Sequence, residues 1–330
     1  MNKKNFLAAS VCALLMASCS NDAELSDMKG INDLNQEYST NVINISGKDI
    51  ESINGTLSFE NEEELKEIAE NLISFSTTKS VDSALTINYS NIDKLHKNGF
   101  TSLYDVFVNA INDVDSYYNR EGGYEELKAK YPSLFFPEVG DDISPYLPIS
   151  DKQLAMLADS NGDVLIANKK VSLKDITTYQ QLKDLGQVPP DGISLAAERG
   201  DEISGTNSIP QTTVDKNKVW VNTHYKKKDG SIPVMYVEVC FRKKYWYGWS
   251  NHNSNTTARL GDGGGLQMYA GADHESCVSM QGFSSHDYYY AIPNIVGAGS
   301  TVPIDRKVII EHGGTGLKLT VRCQHPAYVP

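Results

Sequence analysis

The chain has 330 residues, 22% of them charged, and a formal net charge of −12. That acidity argues against nucleic acid as a partner, because phosphate binding needs a dense basic stripe. The charge is unevenly spread: residues 216–330 carry 13 Lys and Arg against 8 Asp and Glu, leaving −19 for residues 19–215. A split of this size marks separate domains or a partner preference, with the basic half meeting an anionic surface or docking on the acidic half.

Lys3 and Lys4 open a positive region, and Phe6 to Met16 follow as an apolar run of about ten residues, too short for a bilayer span of about 20. The segment closes on Leu15-Met16-Ala17-Ser18-Cys19, which resembles the lipobox of bacterial lipoproteins, with Met16 where Leu is commoner. The resemblance implies removal of residues 1–18, a diacylglycerol on the Cys19 thiol and acylation, such as by palmitate, of the new amino terminus. Several acyl chains at about 0.8 kcal/mol per buried methylene make such anchoring effectively permanent. Ser20-Asn21-Asp22-Ala23-Glu24 then resembles the acidic signal that sends lipoproteins of Bacteroidota-type bacteria to the outer face of the outer membrane. A solvated acidic tether is its other reading.

Residues 19–48 are polar and read as a flexible tether. Asn61-Glu62-Glu63-Glu64 reads as an N-cap with Glu at N3, and Leu65, Ile68, Ala69, Leu72 and Ile73 recur at helical spacing. Asp82-Ser83-Ala84 resembles the short acceptor for protein O-glycosylation in the same bacteria, with Ser83 as the candidate; a turn or cap before the strand-like Leu85-Thr86-Ile87 is its plain alternative. A second helix starts after Gly99-Phe100-Thr101-Ser102 and keeps its period through Tyr117 to the Gly122-Gly123 break. A third runs from about Tyr124 and stops near Tyr131, since Pro132 disfavours the α conformation before it. A fourth begins around Ser150 and carries Leu154, Met156 and Leu157. Asp159-Ser160-Asn161-Gly162-Asp163 lacks the order of a calcium loop and reads as a turn into the strand Val164–Ala167.

Residues 187–217, rich in Pro, Ser, Thr, Asn and Gly, read as a linker or long loop. Beyond them the pattern is of strands. Val219–Val221 and Val234–Phe241 flank Lys226-Lys227-Lys228-Asp229-Gly230, a hairpin signal. Further β-rich runs lie at Gly265–Ala270, Tyr288–Ile292, Lys307–Glu311 and Leu317–Cys323, which together suggest a sandwich. With Cys12 discarded and Cys19 lipidated, Cys240, Cys277 and Cys323 remain, so at most one disulfide forms within the chain. Cys323 shares a face with Leu317, Leu319 and Val321 and reads as a buried small residue, and no catalytic thiol is expected.

All three Trp and six of the seven His fall after residue 217. Tyr245-Trp246-Tyr247-Gly248-Trp249 is the densest aromatic run, and Tyr288-Tyr289-Tyr290 is another. Aromatic faces beside polar loops suit sugar rings, so Tyr245, Trp246, Tyr247, Trp249 and Asn251 are the candidate ligand-binding residues, with His252 and Asn253 as further hydrogen-bonding partners. The plain reading is that alternate members of the run point into the core. Asp273-His274-Glu275 and His286-Asp287 group acids with imidazoles near Cys277, but no HExxH or GxSxG pattern accompanies them. Gly261-Asp262-Gly263-Gly264-Gly265 lacks the strand-to-helix context of a phosphate loop. No catalytic residue, metal site or cofactor is assigned.

The lipobox, a helical segment opening Phe59-Glu60-Asn61-Glu62-Glu63 and a β-rich second half resemble the uncharacterised surface lipoproteins of Bacteroidota-type bacteria. The resemblance implies export and anchoring without an assigned activity. The sequence therefore predicts an α+β chain with a mostly helical domain over 49–186 and an antiparallel β-sandwich-like domain over 218–330. It predicts a non-enzymatic binding module for glycan or another surface ligand, anchored to the outer membrane through its N-terminal lipid. A structural or adhesive protein that recognises a host or cell-surface protein is the alternative. A hydrolase using Asp273, His274, His286 or Asp287 would require those side chains to converge in a cleft.

Overall fold

The computed structural model describes residues 39–72, 74–77, 85–88, 90–226, 234–252, 256–260, 278–279, 288–293 and 304–325. Strands β1 (Thr40–Ile45), β2 (Lys48–Ile53) and β3 (Thr56–Phe59) form an antiparallel meander. Ile43, Ile45, Ile50, Leu57 and Phe59 face inward while Asn44, Asp49 and Glu51 face water. Helix α1 (Glu62–Leu72) lays Leu65, Ile68, Ala69 and Leu72 on the same core, and its first turn is capped by Asn61, whose Oδ1 accepts from the Glu64 N–H at 2.8 Å. A short hairpin comes next, β4 (Ser74–Thr77) with β5 (Leu85–Asn88), then α2 (Ser90–Lys97).

Helix α3 (Leu103–Tyr118) is the central helix of the core. Ser102 and Asp105 make a reciprocal capping box at its start, and Phe107, Ala110, Ile111 and Val114 are buried along one stripe. Helix α4 (Gly123–Lys130) ends ahead of Pro132, as the sequence predicts. Helix α5 (Lys152–Leu157) is capped by Asp151. Asp159 Oδ1 accepts from the N–H groups of Asn161 and Asp163, and Oδ2 accepts from Thr56 Oγ1 at 2.7 Å, so the carboxylate holds its own turn with one oxygen and ties it to β3 with the other. The turn leads into β6 (Asp163–Ile166) and β7 (Lys169–Ser172), completing a five-stranded sheet of order β1-β2-β3-β6-β7 in which only β3 and β6 are parallel.

After α6 (Tyr179–Asp184) come β8 (Leu195–Ala196), β9 (Glu202–Thr206) and β10 (Ser208–Val214), then the long strands β11 (Asn217–Lys226) and β12 (Val234–Lys244). β13 (Trp249–Asn251), β14 (Thr256–Leu260), β15 (Val278–Ser279), β16 (Tyr288–Pro293), β17 (Ile304–His312) and β18 (Leu317–His325) complete the described elements. They form two sheets, one of order β13-β12-β11-β10-β8 with β16 also on β12, the other β15-β14-β17-β18-β9. β11 and β12 pair in full antiparallel register from Asn217↔Lys243 to Lys226↔Val234, as the Asp-Gly signal predicts.

The expected α+β division is overturned. The N-terminal half is not mostly helical, because three short strands open it and two more close the same sheet. The sequence predicts β6, as the strand Val164–Ala167; the other four are four to six residues long, too short for their period to stand out against the polar residues that face solvent. Nor do the later strands build the expected antiparallel sandwich. The fold is mixed α/β and β-rich, with a parallel pairing in each of three sheets: β3 with β6, β8 with β10, and β9 with β18. The last two draw on residues 195–206, inside the stretch expected to be a linker, and β1 and β2 lie within or at the end of the expected tether. Tyr38–Pro330 makes one compact unit.

Candidate functional site

The aromatic run forms the turn between β12 and β13, and three backbone bonds set its shape. Tyr245 N–H donates to Gly248 O at 2.8 Å, Trp249 N–H to Asp141 O at 2.7 Å, and Ile143 N–H to Trp249 O at 3.0 Å. Gly248 is required where the 139–143 segment passes, since a Cβ there would meet Asp141 O at 2.2 Å. The turn is thus clamped before any side chain is considered.

Its side chains divide sharply. Tyr245 is buried, edge-on to Tyr118 with ring centroids 5.7 Å apart, and its hydroxyl donates to Asp115 Oδ1 at 2.6 Å. Asn251 is fully buried: its N–H donates to Ser144 Oγ at 3.0 Å and its Oδ1 accepts from Arg242 Nε at 3.3 Å. Neither is available to a ligand. Trp246, by contrast, is 72% exposed and Tyr247 36%, with ring centroids 6.1 Å apart. The Tyr247 hydroxyl donates to Arg120 O, tying that ring to the end of α3. Trp249 is half-buried beneath two cations, Lys218 Nζ at 4.4 Å and Lys244 Nζ at 5.3 Å from its ring centroid.

Behind this turn lies a buried polar joint that the sequence does not announce. Arg242 and Asp142, each 3% exposed, form an ion pair at 2.8 Å. Tyr146 donates to Asp142 Oδ2 at 2.7 Å and also contacts the Arg242 guanidinium, while Ser144 N–H donates to Asp142 Oδ1 at 3.0 Å. The guanidinium lies 5.6 Å from the Trp220 ring, whose Nε1 donates to Gly186 O. Gly186 has φ +69°, and a Cβ would meet Asn222 Nδ2 at 2.8 Å. Burial keeps Tyr146 protonated well past the usual tyrosine range. Arg242 shares its face of β12 with Cys240, a pattern that reads equally well as a solvated edge; its carboxylate partner is 100 positions away, which no local spacing reveals.

On the opposite face of β12 a second cluster meets the end of β17. Phe241 lies against His312 with ring centroids 5.1 Å apart, and His312 Nδ1 is 2.8 Å from Thr315 Oγ1. Burial, with His252 nearby, pushes the His312 pKa down to about 4. Burial also lowers His252, against the pull of Asp115. Partial burial works against the Asp115 carboxylate, yet bonds from Lys243 and Tyr245 outweigh it and hold its pKa below the usual range.

One serine, histidine and aspartate do gather elsewhere, beside a cavity of about 260 Å³ lined in part by Leu95, Phe100, Tyr104 and Met156. His96 Nε2 is 3.1 and 3.2 Å from the two oxygens of Asp105. Ser102 Oγ, however, donates to Asp105 at 2.7 Å and caps α3, so the hydroxyl addresses the carboxylate and not the imidazole. That wiring cannot activate a serine nucleophile, which needs the imidazole as its base.

Cys19, Ser83, Asn253, Gly261–Gly265, Asp273, His274, Cys277, His286 and Asp287 lie outside the described residues. Cys240 is a buried thiol. Among the described residues no group of three His, Cys, Asp or Glu side chains is placed to hold a metal ion.

No family model matches the chain, and no curated protein is significantly similar to it. Among solved structures, the chain is similar to a DUF4848 family protein from Bacteroides thetaiotaomicron. The identity is 16% and the TM-score 0.32, over 83% of this chain and 99% of that one. A likeness of that size carries no argument about fold or activity, and the site rests on its own geometry.

Proposed function

We propose that this is a lipid-anchored protein of the outer membrane surface that binds glycan at the β12–β13 turn. The observation that carries the reading is the contrast between Trp246, 72% exposed, and the clamped backbone beneath it. An indole left mostly in water at a rigid turn contributes little to folding. A binding surface profits from such a ring, since little conformational entropy is lost when a ligand stacks on it. Tyr247 extends the platform, and Trp249 adds a ring with cations at its face. Membrane attachment through Cys19 is supported by the lipobox resemblance alone.

Two experiments test the reading. Thermal-shift titration with neutral and anionic polysaccharides should give a saturable rise that Trp246→Ala abolishes; ligand at 100 times its dissociation constant adds about 2.7 kcal/mol. Growth with an alkyne-tagged palmitate should label the wild-type chain and leave Cys19→Ala unlabelled. Absence of any glycan shift would move the reading to a protein partner for the same turn.

A further inference from the structure

Three cations share the face of the sheet that carries Trp249. Lys218 pairs directly with Arg242 across β11 and β12, Lys244 comes two residues further along, and Lys244 pairs with Trp249. Strand alternation sets all four side chains on one side. Two of the cations are matched by carboxylates: Arg242 by Asp142 at 2.8 Å, and Lys244 by Asp141 at 3.4 Å. Lys218 is not. Among the described residues no carboxylate lies within ion-pair distance of its Nζ, which rests instead 4.4 Å from the Trp249 centroid.

Lys218 is also half-buried, and burial together with the charge of Arg242 draws its pKa below the usual lysine range. A partly desolvated ammonium beside a second cation is costly to hold, and an arriving anion relieves that cost. The indole contributes cation–π attraction and fixes the ammonium at the ring face instead of leaving it to point into water. Lys244, 43% exposed and at a long 3.4 Å from Asp141, has freedom to turn toward the same anion.

We infer that Lys218 and Lys244, held against Trp249, form a subsite for the oxyanion of an acidic sugar. This deepens the glycan reading and rests on it. A carboxylate or sulfate at the edge of the sugar meets the two ammoniums, which themselves occupy the face of the indole. Asp141 and Asp142 act on Lys218 through longer-range charge and without a direct ion pair, so a neutral sugar leaves its ammonium as it was and an acidic one supplies the direct partner.

The test is calorimetric titration of the chain from Cys19 onward, in neutral detergent, with polygalacturonate, dextran sulfate and dextran. One or both anionic polymers should bind at least tenfold tighter than dextran, and comparing the two identifies carboxylate or sulfate as the group held. Lys218→Met keeps the stem on the indole and should erase that preference; Lys218→Arg should retain it; Lys66→Met, an exposed lysine on α1, should leave it unchanged. Acetic anhydride labelling of the wild type, read by mass spectrometry, should show Lys218 protected by the anionic polymer, a readout independent of whether any variant folds. The subsite is overturned if the anionic polymers show no preference, if Lys218→Met binds them as the wild type does, or if Lys218 is not protected. If dextran binding is lost in Trp246→Ala while Lys218→Met changes nothing, the platform stands and the subsite falls. If the wild type binds none of the polymers, both fall.

Discussion

The β12–β13 turn presents two unlike surfaces within seven residues. At Tyr245 and Asn251 the side chains are buried and hydrogen-bonded, through Asp115 for the first and through Arg242 and Pro145 for the second, whose N–H is held by Ser144. At Trp246 a large ring stands in water over the same backbone, and the partly exposed Tyr247 ring lies beside it with its hydroxyl held by Arg120 O. The first surface is packed and hydrogen-bonded into the fold, and the second is open to a ligand at Trp246. Residue type alone does not separate them: the run is aromatic throughout, and only the neighbours, α3 and the 139–146 segment, decide which ring is structural.

The contrast is most vulnerable at its buried end. Asp142→Ala leaves Arg242 charged and unpaired in the interior, an effect of about 3–5 kcal/mol, so the urea midpoint should collapse or the chain should fail to fold. A variant of near wild-type stability would show that water, not Asp142, satisfies the guanidinium.

The next effect concerns pH. His312 titrates near 6.5 when unfolded, and in the folded chain at about 4. Between those values the unfolded chain binds the extra proton. The contribution of the neutral ring is therefore full above pH ~6.5 and is lost as pH falls through about 4, amounting to about 3 kcal/mol. Urea denaturation at a series of pH values should show this fall in the wild type and a flatter one in His312→Gln. Parallel slopes would place the acid sensitivity elsewhere, with the lowered carboxylates Asp113 and Asp115 as the first alternatives.

Smaller changes separate the two surfaces more finely. Gly248→Ala pushes a methyl onto Asp141 O and should cost about 2 kcal/mol by overpacking, while also weakening glycan binding because the turn must shift. Tyr245→Phe removes a hydroxyl that donates to Asp115, which keeps Lys243, and should cost about 1 kcal/mol with binding preserved. Chemical denaturation and calorimetry on the same samples read both quantities.

Much of the local structure is legible in the sequence. Asn61 with Glu64, and the stripe after Ser102, mark α1 and α3, and Pro132 marks the end of α4. The Asp-Gly signal marks the β11–β12 pairing, and the order of Asp159 to Asp163 specifies a turn. The strands at 40–53 and 195–214 are not legible, because each alternates few apolar residues with many polar ones, and several find a pairing partner far along the chain. Of the five candidate binding residues, alternation warns that some point inward, but not which. Arg242 with Asp142 leaves no signal at all, since a buried ion pair is defined by two distant positions meeting.

The smallest stability effect belongs to the residue with the largest expected effect on binding. Trp246→Ala removes an exposed ring and should change unfolding free energy by less than about 0.5 kcal/mol, yet reduce glycan affinity at least tenfold, as loss of an aromatic anchor does. Measuring both on one preparation decides whether the tip is a binding surface separable from the fold. Unchanged stability with lost binding is the predicted result. Unchanged binding, or a loss of stability comparable to that of Tyr245→Phe, would contradict it.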